Sequence, residues 1–252
     1  MTNNTLILAA HPDDEVVGLS IKIRELIKSG SFVYIFYLTN GVISKDSRWF
    51  WEKKNYTFKL EKRIYELEQS MKLLGIRNYK VQQINSRTIK NNLFKTFYSV
   101  NKIIKKYKIK TIFTPAYEGG HQDHDLTNFI ASKFKKNIRV YEYPEYNFFN
   151  RKILSNTFFK LNGNETIYFL NEKEKIFKKK LLNIYVSEQK NLSYLKVEKE
   201  CLRPISHYNY LLPAHIGTLF YRRFAFFSWH PRVDSTSFYE IKNKIIEFNR
   251  LA

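Results

Sequence analysis

"ILAAHPDDEVVG" (residues 7–18) runs from an apolar stretch straight into a histidine, a proline and three consecutive carboxylates. The stretch starts earlier, as "TLILAA" (5–10), a short, nearly continuous apolar run of the kind that forms a strand buried on both faces. Pro12 disfavours the helical region for His11, so the strand ends extended at His11, and the turn that follows lets Asp14 fold back beside it. Beyond the loop Leu19, Ile23, Leu26 and Ile27 recur at helical spacing, and "KSG" (28–30) closes that helix. Either Asp13 or Asp14 alone could cap the helix. Glu15 reads as an acidic first-turn residue favoured by the helix dipole. The surplus of ionisable groups calls for chemistry.

The alternation of strand and helix continues outward. "FVYIFYL" (32–38), "YKVQQI" (79–84), "KTIFT" (110–114) and "IRVYEY" (138–143) read as strands. Between them, "LEKRIYELEQSMKLLG" (60–75) steps its apolar residues by four and three and places Gly75 where a C-cap belongs. Leu93, Phe97, Val100, Ile104 and Tyr107 mark another helix, and a further one follows "PAYEGGHQDHD" (115–125) to about residue 136. This pattern predicts an α/β fold: a doubly wound, mostly parallel sheet of order 3-2-1-4-5, with helices on both faces. After Pro144 the pattern blurs into a helix near 173–190 and an aromatic, loop-rich stretch over 200–240. No Gly/Ser linker, repeat or low-complexity tract divides the chain. One domain over 1–252 is expected, with a Rossmann-like core of about 1–145 and a C-terminal elaboration of about 146–252.

The 252 residues are 44% hydrophobic and 17% aromatic, ample for a core. The single cysteine, Cys201, excludes an internal disulfide framework and a multi-cysteine metal cluster, and fits a reducing compartment. "MTNNTLILAAHPDD" has no basic n-region, and no stretch approaches the ~20 apolar residues needed to span a bilayer, so a soluble, cytoplasmic protein is expected. The net charge of +20 raises the nucleic-acid and anionic-membrane classes. The lysines are dispersed, however, and the densest runs, "IIKKYKIK" (103–110) and "FKKK" (177–180), read as solvated helix faces. No nucleic-acid partner is expected. The charge remains compatible with weak membrane-surface association and with acidic, phosphorylated or lipid-linked substrates.

The second charged loop, "GGHQDHD" (119–125), sets His121 and His124 three apart where a helix begins, after two glycines that permit a tight turn. In a sheet of this order, strands one and four are neighbours that diverge at the switch point, where ligands bind at the strands' carboxyl ends. The two loops therefore form one site. Two histidines and one carboxylate with open positions suit a catalytic Zn²⁺, and Fe²⁺ or another divalent metal could occupy the same donors.

"AHPDDE" (10–15) followed by "GGHQDH" (119–124) resembles the PIG-L/LmbE-like zinc-dependent N-acetylglucosamine deacetylases. "TNG" (39–41), the R-x-x-E…LG of Arg63, Glu66, Leu74 and Gly75, and "YVSEQ" (185–189) agree with that family too. The resemblance implies His11, Asp14 and His124 as metal ligands, Asp13 as general base, and His121 as the electrostatic partner of the oxyanion, with Asp123 either orienting His121 or capping the helix. It departs from the family at Gln122, where proline is usual, and at Gly119, where some members carry a mobile tyrosine. It also implies that Arg63, on the helix face opposite the apolar stripe and otherwise readable as a surface arginine, meets sugar hydroxyls or a phosphate. Asn40, at the end of strand two, and His215, after "LLPA", are candidate cleft residues, His215 being otherwise readable as a structural histidine. The tail over 203–234 resembles the C-terminal part of members associated with bacterial surface-polysaccharide synthesis. The expected activity is removal of an N-acetyl group from an amino sugar carried as a nucleotide sugar, lipid-linked sugar or polysaccharide precursor. The alternatives are a deacetylase of a small glycoside such as a thiol precursor and, from another class, a basic nucleic-acid-binding or peripheral membrane protein with a relic site. "RWFWEKK" (48–54) fits sugar stacking, membrane contact or simple packing.

Overall fold

A computed structural model describes residues 4–230 and 232–251; Met1–Asn3, at the head of the N-terminal stretch read above, Pro231 within the tail, and Ala252 lie outside the described residues. Five parallel strands, β1 (Thr5–Ala9), β2 (Val33–Tyr37), β3 (Tyr79–Val81), β4 (Thr111–Pro115) and β5 (Arg139–Tyr143), stand in the order β3-β2-β1-β4-β5, as the alternation predicts. Residues after 145 add a separate hairpin, β6 (Tyr146–Phe149) with β7 (Lys152–Ser155). They also extend the main sheet with two antiparallel strands, β8 (Thr166–Phe169) and β9 (Lys199–Pro204), β9 lying against β5.

Strand β1 pairs on both sides, Thr5–Ala9 with Val33–Tyr37 and Thr5–Ile7 with Thr111–Phe113, and all five of its residues are buried. Its side chains alternate between two cores. Leu6 and Leu8 face α3 (Leu93–Tyr107), α4 (Gln122–Ser132) and α7 (Phe238–Leu251), through residues such as Val100, Phe129 and Phe248. Ile7 and Ala9 face α1 (Asp14–Lys28), α2 (Tyr56–Leu74) and α5 (Glu172–Leu182), through Leu19, Leu67 and Leu181. Gly75 caps α2 in the left-handed conformation, as its position predicts.

The last third differs from its sequence reading. The helix expected near 173–190 stops at Leu182, and a short α6 (Gln189–Leu192) follows a 3₁₀ turn. The run 177–180 is not wholly solvated, because Lys178 is fully buried and donates to Glu200 (3.0 Å) and the Val17 carbonyl (2.7 Å). Strand β9 and helix α7 were not legible, β9 because its Glu200 and Arg203 break the apolar pattern and are neutralised only by partners elsewhere, Lys178 and Glu142. Among the described residues no helix is long and apolar enough to cross a membrane.

Candidate active site

A cleft of about 990 Å³ opens at the carboxyl ends of the parallel strands, lined by the loops after β1, β2, β4 and β5 and by segments around 186–194 and 220–234. His11, Asp13, Asp14, His121, His124 and Glu145 all line it.

Local structure places the donor atoms. Asp14 folds back as expected: its Oδ2 accepts from the backbone N–H of Ala10 (2.6 Å) and His11 (2.8 Å). Its Oδ1 is left 3.6 Å from His11 Nδ1 and 3.3 Å from His124 Nε2, and those two nitrogens are 3.2 Å apart. Two ligands of a tetrahedral zinc, each about 2.0–2.1 Å from the ion, stand roughly 3.3 Å from one another. The triangle therefore has the size of one face of such a site. His11, His121 and Asp123 form a second cluster, in which His121 Nδ1 and Asp123 Oδ2 are already engaged while Asp123 Oδ1 has no partner. His121 Nδ1 accepts from the Asp123 N–H (3.0 Å), and Asp123 Oδ2 accepts from the Arg87 N–H (2.6 Å) and faces His11 Nε2 (3.0 Å).

Asp123 thus acts differently from the sequence reading. Its carboxylate orients His11, and only its backbone N–H orients His121, which is itself the N-cap of α4. Burial would lower the His11 pKa, but Asp14 and Asp123 overcome it and raise it to about 10. Burial would raise Asp14, but His124 and His11 hold it well below the usual carboxylate range. Burial, followed by the adjacent His11, pushes His121 well below the usual imidazole range, so it is neutral at physiological pH. With Nδ1 accepting a hydrogen bond, its proton sits on Nε2.

Asp13 has φ 125°, a conformation that costs a non-glycine residue about 1–3 kcal/mol. Glu15 holds it, Oε2 accepting from the Asp13 N–H at 3.1 Å. Glu15 is not a solvent-facing first-turn residue. It is fully buried, its Oε1 accepts from Tyr185 Oη (2.9 Å), and burial pushes its pKa up to about 7. Arg63 is buried as well. It is 3% exposed in the cleft wall, and its Nη2 lies 3.3 Å from Asp13 Oδ2 and 3.3 Å from Glu188. Ser187 joins the two motifs, accepting from Arg63 Nη1 and donating its backbone N–H to Glu66. Gly41, at φ 71°, makes room: a Cβ there would stand 2.9 Å from Arg63 Nε and from Pro12.

Two expected cleft residues do not line the cleft. Asn40 holds its own turn, accepting from the Val42 N–H (2.9 Å) and donating to Asn85 (3.1 Å). His215 is buried among Phe149 and Phe159, behind the Gly119 turn. Glu145 is a cleft residue the sequence reading passed over. It is buried, its Oε2 is 3.8 Å from His124 Nε2, its Oε1 has no partner, and burial with Asp14 and Asp13 raises its carboxyl well above the ordinary range. Its signal was available: a carboxylate just past the carboxyl end of a parallel strand.

A family model described as GlcNAc-PI de-N-acetylase (PIG-L) matches residues 6–135. The fold is similar to that of a deacetylase of teicoplanin biosynthesis, in a complex with bog, at TM-score 0.64 and 14% identity over 82% of this chain and 99% of the other. The A40926 pseudoaglycone deacetylase Dbv21 is similar at 0.62 and 13%, over 83% and 99%. The N,N'-diacetylchitobiose deacetylase of Pyrococcus horikoshii is similar at 0.59 and 17%, over 85% and 86%. No curated protein matches the chain.

Proposed function

Because the chain belongs to the GlcNAc-PI de-N-acetylase (PIG-L) family, we propose that it is a metal-dependent hydrolase that removes an N-acetyl group from an amino sugar. The observation that carries this reading is the triangle of His11 Nδ1, Asp14 Oδ1 and His124 Nε2, with the carboxyl of Asp13 next along the chain. The donor set and its spacing fit Zn²⁺, and Fe²⁺ shares the same donors. A metal held there supplies Lewis acidity to a carbonyl oxygen and makes water ionisable near neutral pH.

The remaining steps belong to side chains of this protein. Arg63 holds Asp13 through Oδ2, leaving Oδ1 to take the proton of the attacking water. The water oxygen bonds to the acetamide carbon, and the neutral His121 donates its Nε2–H to the oxyanion. Asp13 then returns its proton to the nitrogen as the C–N bond breaks, giving acetate and a free amine. The acids lie on the cleft floor, while Arg48, Lys59, Lys62, Arg87 and Arg232 line its walls. That distribution favours a sugar carried on an anionic group, such as a nucleotide-sugar, lipid-linked or polysaccharide precursor. Strands β8 and β9 continuing the core sheet support a single deacetylase domain.

The test is acetate release from a panel of N-acetylated sugars, nucleotide sugars and sugar lipids, with bound metal quantified. Release with one metal per chain supports the reading. Failure to bind metal after loading overturns it, and metal without release rejects the substrates tried.

Two further outcomes follow from His11. Asp123→Asn removes the carboxylate behind the imidazole and is expected to lower metal affinity about 10–100-fold, read by competition with a chromophoric chelator. A ligating His11 must also lose the proton that Asp14 and Asp123 stabilise at a pKa of about 10. Metal affinity is therefore expected to rise about tenfold per pH unit between roughly pH 6 and 8, with about one proton released per metal. Calorimetry in buffers of different ionisation enthalpy measures that proton.

A further inference from the structure

Two segments whose exposed aromatic side chains the hydrolytic reading leaves unused converge at the mouth of the cleft. The first, 48–54, carries Trp49, Phe50 and Trp51, and the second, 222–230, carries Phe226, Phe227 and Trp229. They are far apart in sequence and joined in space. Trp49 stacks on Trp51 at 4.9 Å and meets the His230 ring edge-on at 5.9 Å, while Glu52 pairs with Arg232. The result is an aromatic ridge whose outer side chains reach into solvent: Phe226 is 90% exposed, Phe50 78%, Trp229 68% and Trp51 51%. All three tryptophans of the chain are in it. Single exposed apolar residues are ordinary, but a cluster of large aromatics is not.

We propose that this ridge docks the cleft mouth onto an anionic membrane surface. Tryptophan and phenylalanine favour the boundary between headgroups and acyl chains. Arg48, Lys53 and Lys54 flank one half of the ridge and Arg222, Arg223 and Arg232 the other, against Glu52 as the acid among them. Lysine and arginine at such a boundary attract anionic lipid. The net charge of +20 works in the same direction and opposes packing of this face against a second copy. The same segments build the cleft, since Arg48 from one, and Arg223 and Phe224 from the other, line its wall, with Arg232 just beyond the second. Docking therefore presents the cleft to the headgroup plane. The argument does not use the hydrolytic reading, and its test does not depend on turnover.

Because every tryptophan lies in the ridge, intrinsic fluorescence reports on it directly. The full chain is titrated with vesicles of mixed phosphatidylglycerol and phosphatidylcholine, or of phosphatidylcholine alone, at low and high salt, with co-sedimentation in parallel. The expected result is a blue shift and binding with the anionic vesicles, weakened at least about tenfold on neutral vesicles or at high salt. F226S/W229S, which leaves Trp49 and Trp51 as reporters, and K53E/K54E are each expected to weaken binding at least about tenfold with circular dichroism unchanged. Equal binding to both vesicle types, no binding to either, or full retention in both variants would overturn the proposal. So would a shift produced by raising protein concentration or by adding RNA but not by vesicles.

Discussion

Asp13→Ala is expected to lower the rate of acetate release about 10²–10⁴-fold while the protein still binds one metal. The structure separates the two neighbouring carboxylates cleanly. Asp14 turns inward, with Oδ2 on two backbone N–H groups and Oδ1 on the histidines. Asp13 turns the other way, onto Arg63. Removing the Asp13 side chain therefore leaves the donor triangle intact, and the loss falls on proton transfer alone. The substitution also relieves nothing in the backbone, since alanine at φ 125° is at least as strained as aspartate. Parallel measurements of metal content, melting temperature and turnover distinguish the roles. Loss of metal along with activity would move Asp13 into the ligand set, and turnover near the parent's would remove it from the mechanism.

His124→Ala should act on the metal first. Structural zinc sites bind with apparent energies of about 10–16 kcal/mol, so one ligand of several contributes on the order of 10²–10³ in affinity. Acetate release is expected to fall with occupancy and to recover only partly in excess metal. Stability supplies an independent readout. Metal at about 100 times its Kd stabilises the parent by about 2.7 kcal/mol, and His124→Ala at the same concentration should gain far less. His124 is 1% exposed and packs against Tyr146, so some destabilisation without metal is expected as well. The decisive quantity is the difference between melting curves with and without metal, in which that packing loss cancels. An unchanged difference would place the metal elsewhere, for example on His11, His121 and Asp123.

Much of this site was legible because the relevant signals are local. A run such as "TLILAA" has few other uses than a doubly buried strand, and the sheet confirms it at β1. Once the strand order is known, the loops after strands one and four must meet. Their His and Asp residues then lie within a few ångströms by topology alone. The residues whose surroundings were not legible share one property, that the environment of a charge is set by a distant partner. Arg63 sits on a polar helix face, and only the fold shows that this face packs on Asp13 and on the segment 185–189. Glu15 looked like a helix-dipole residue, yet Tyr185 and Ser70 enclose it. The motifs of 63–66 and 185–189 give no periodicity that would announce their contact.

By itself the sequence determined the parallel α/β core, its strand order and the two loops that carry the chemistry, because hydrophobic period, turn residues and ligand spacing all act over a few residues. Only the tertiary structure decided which carboxylate serves which histidine, that Arg63 grips Asp13, that Glu145 joins the floor, and that two aromatic segments meet as one ridge at the cleft mouth. Those pairings close across long stretches of chain. Their energies come from burial and charge neutralisation at the contact, which no residue carries until its partner is in place.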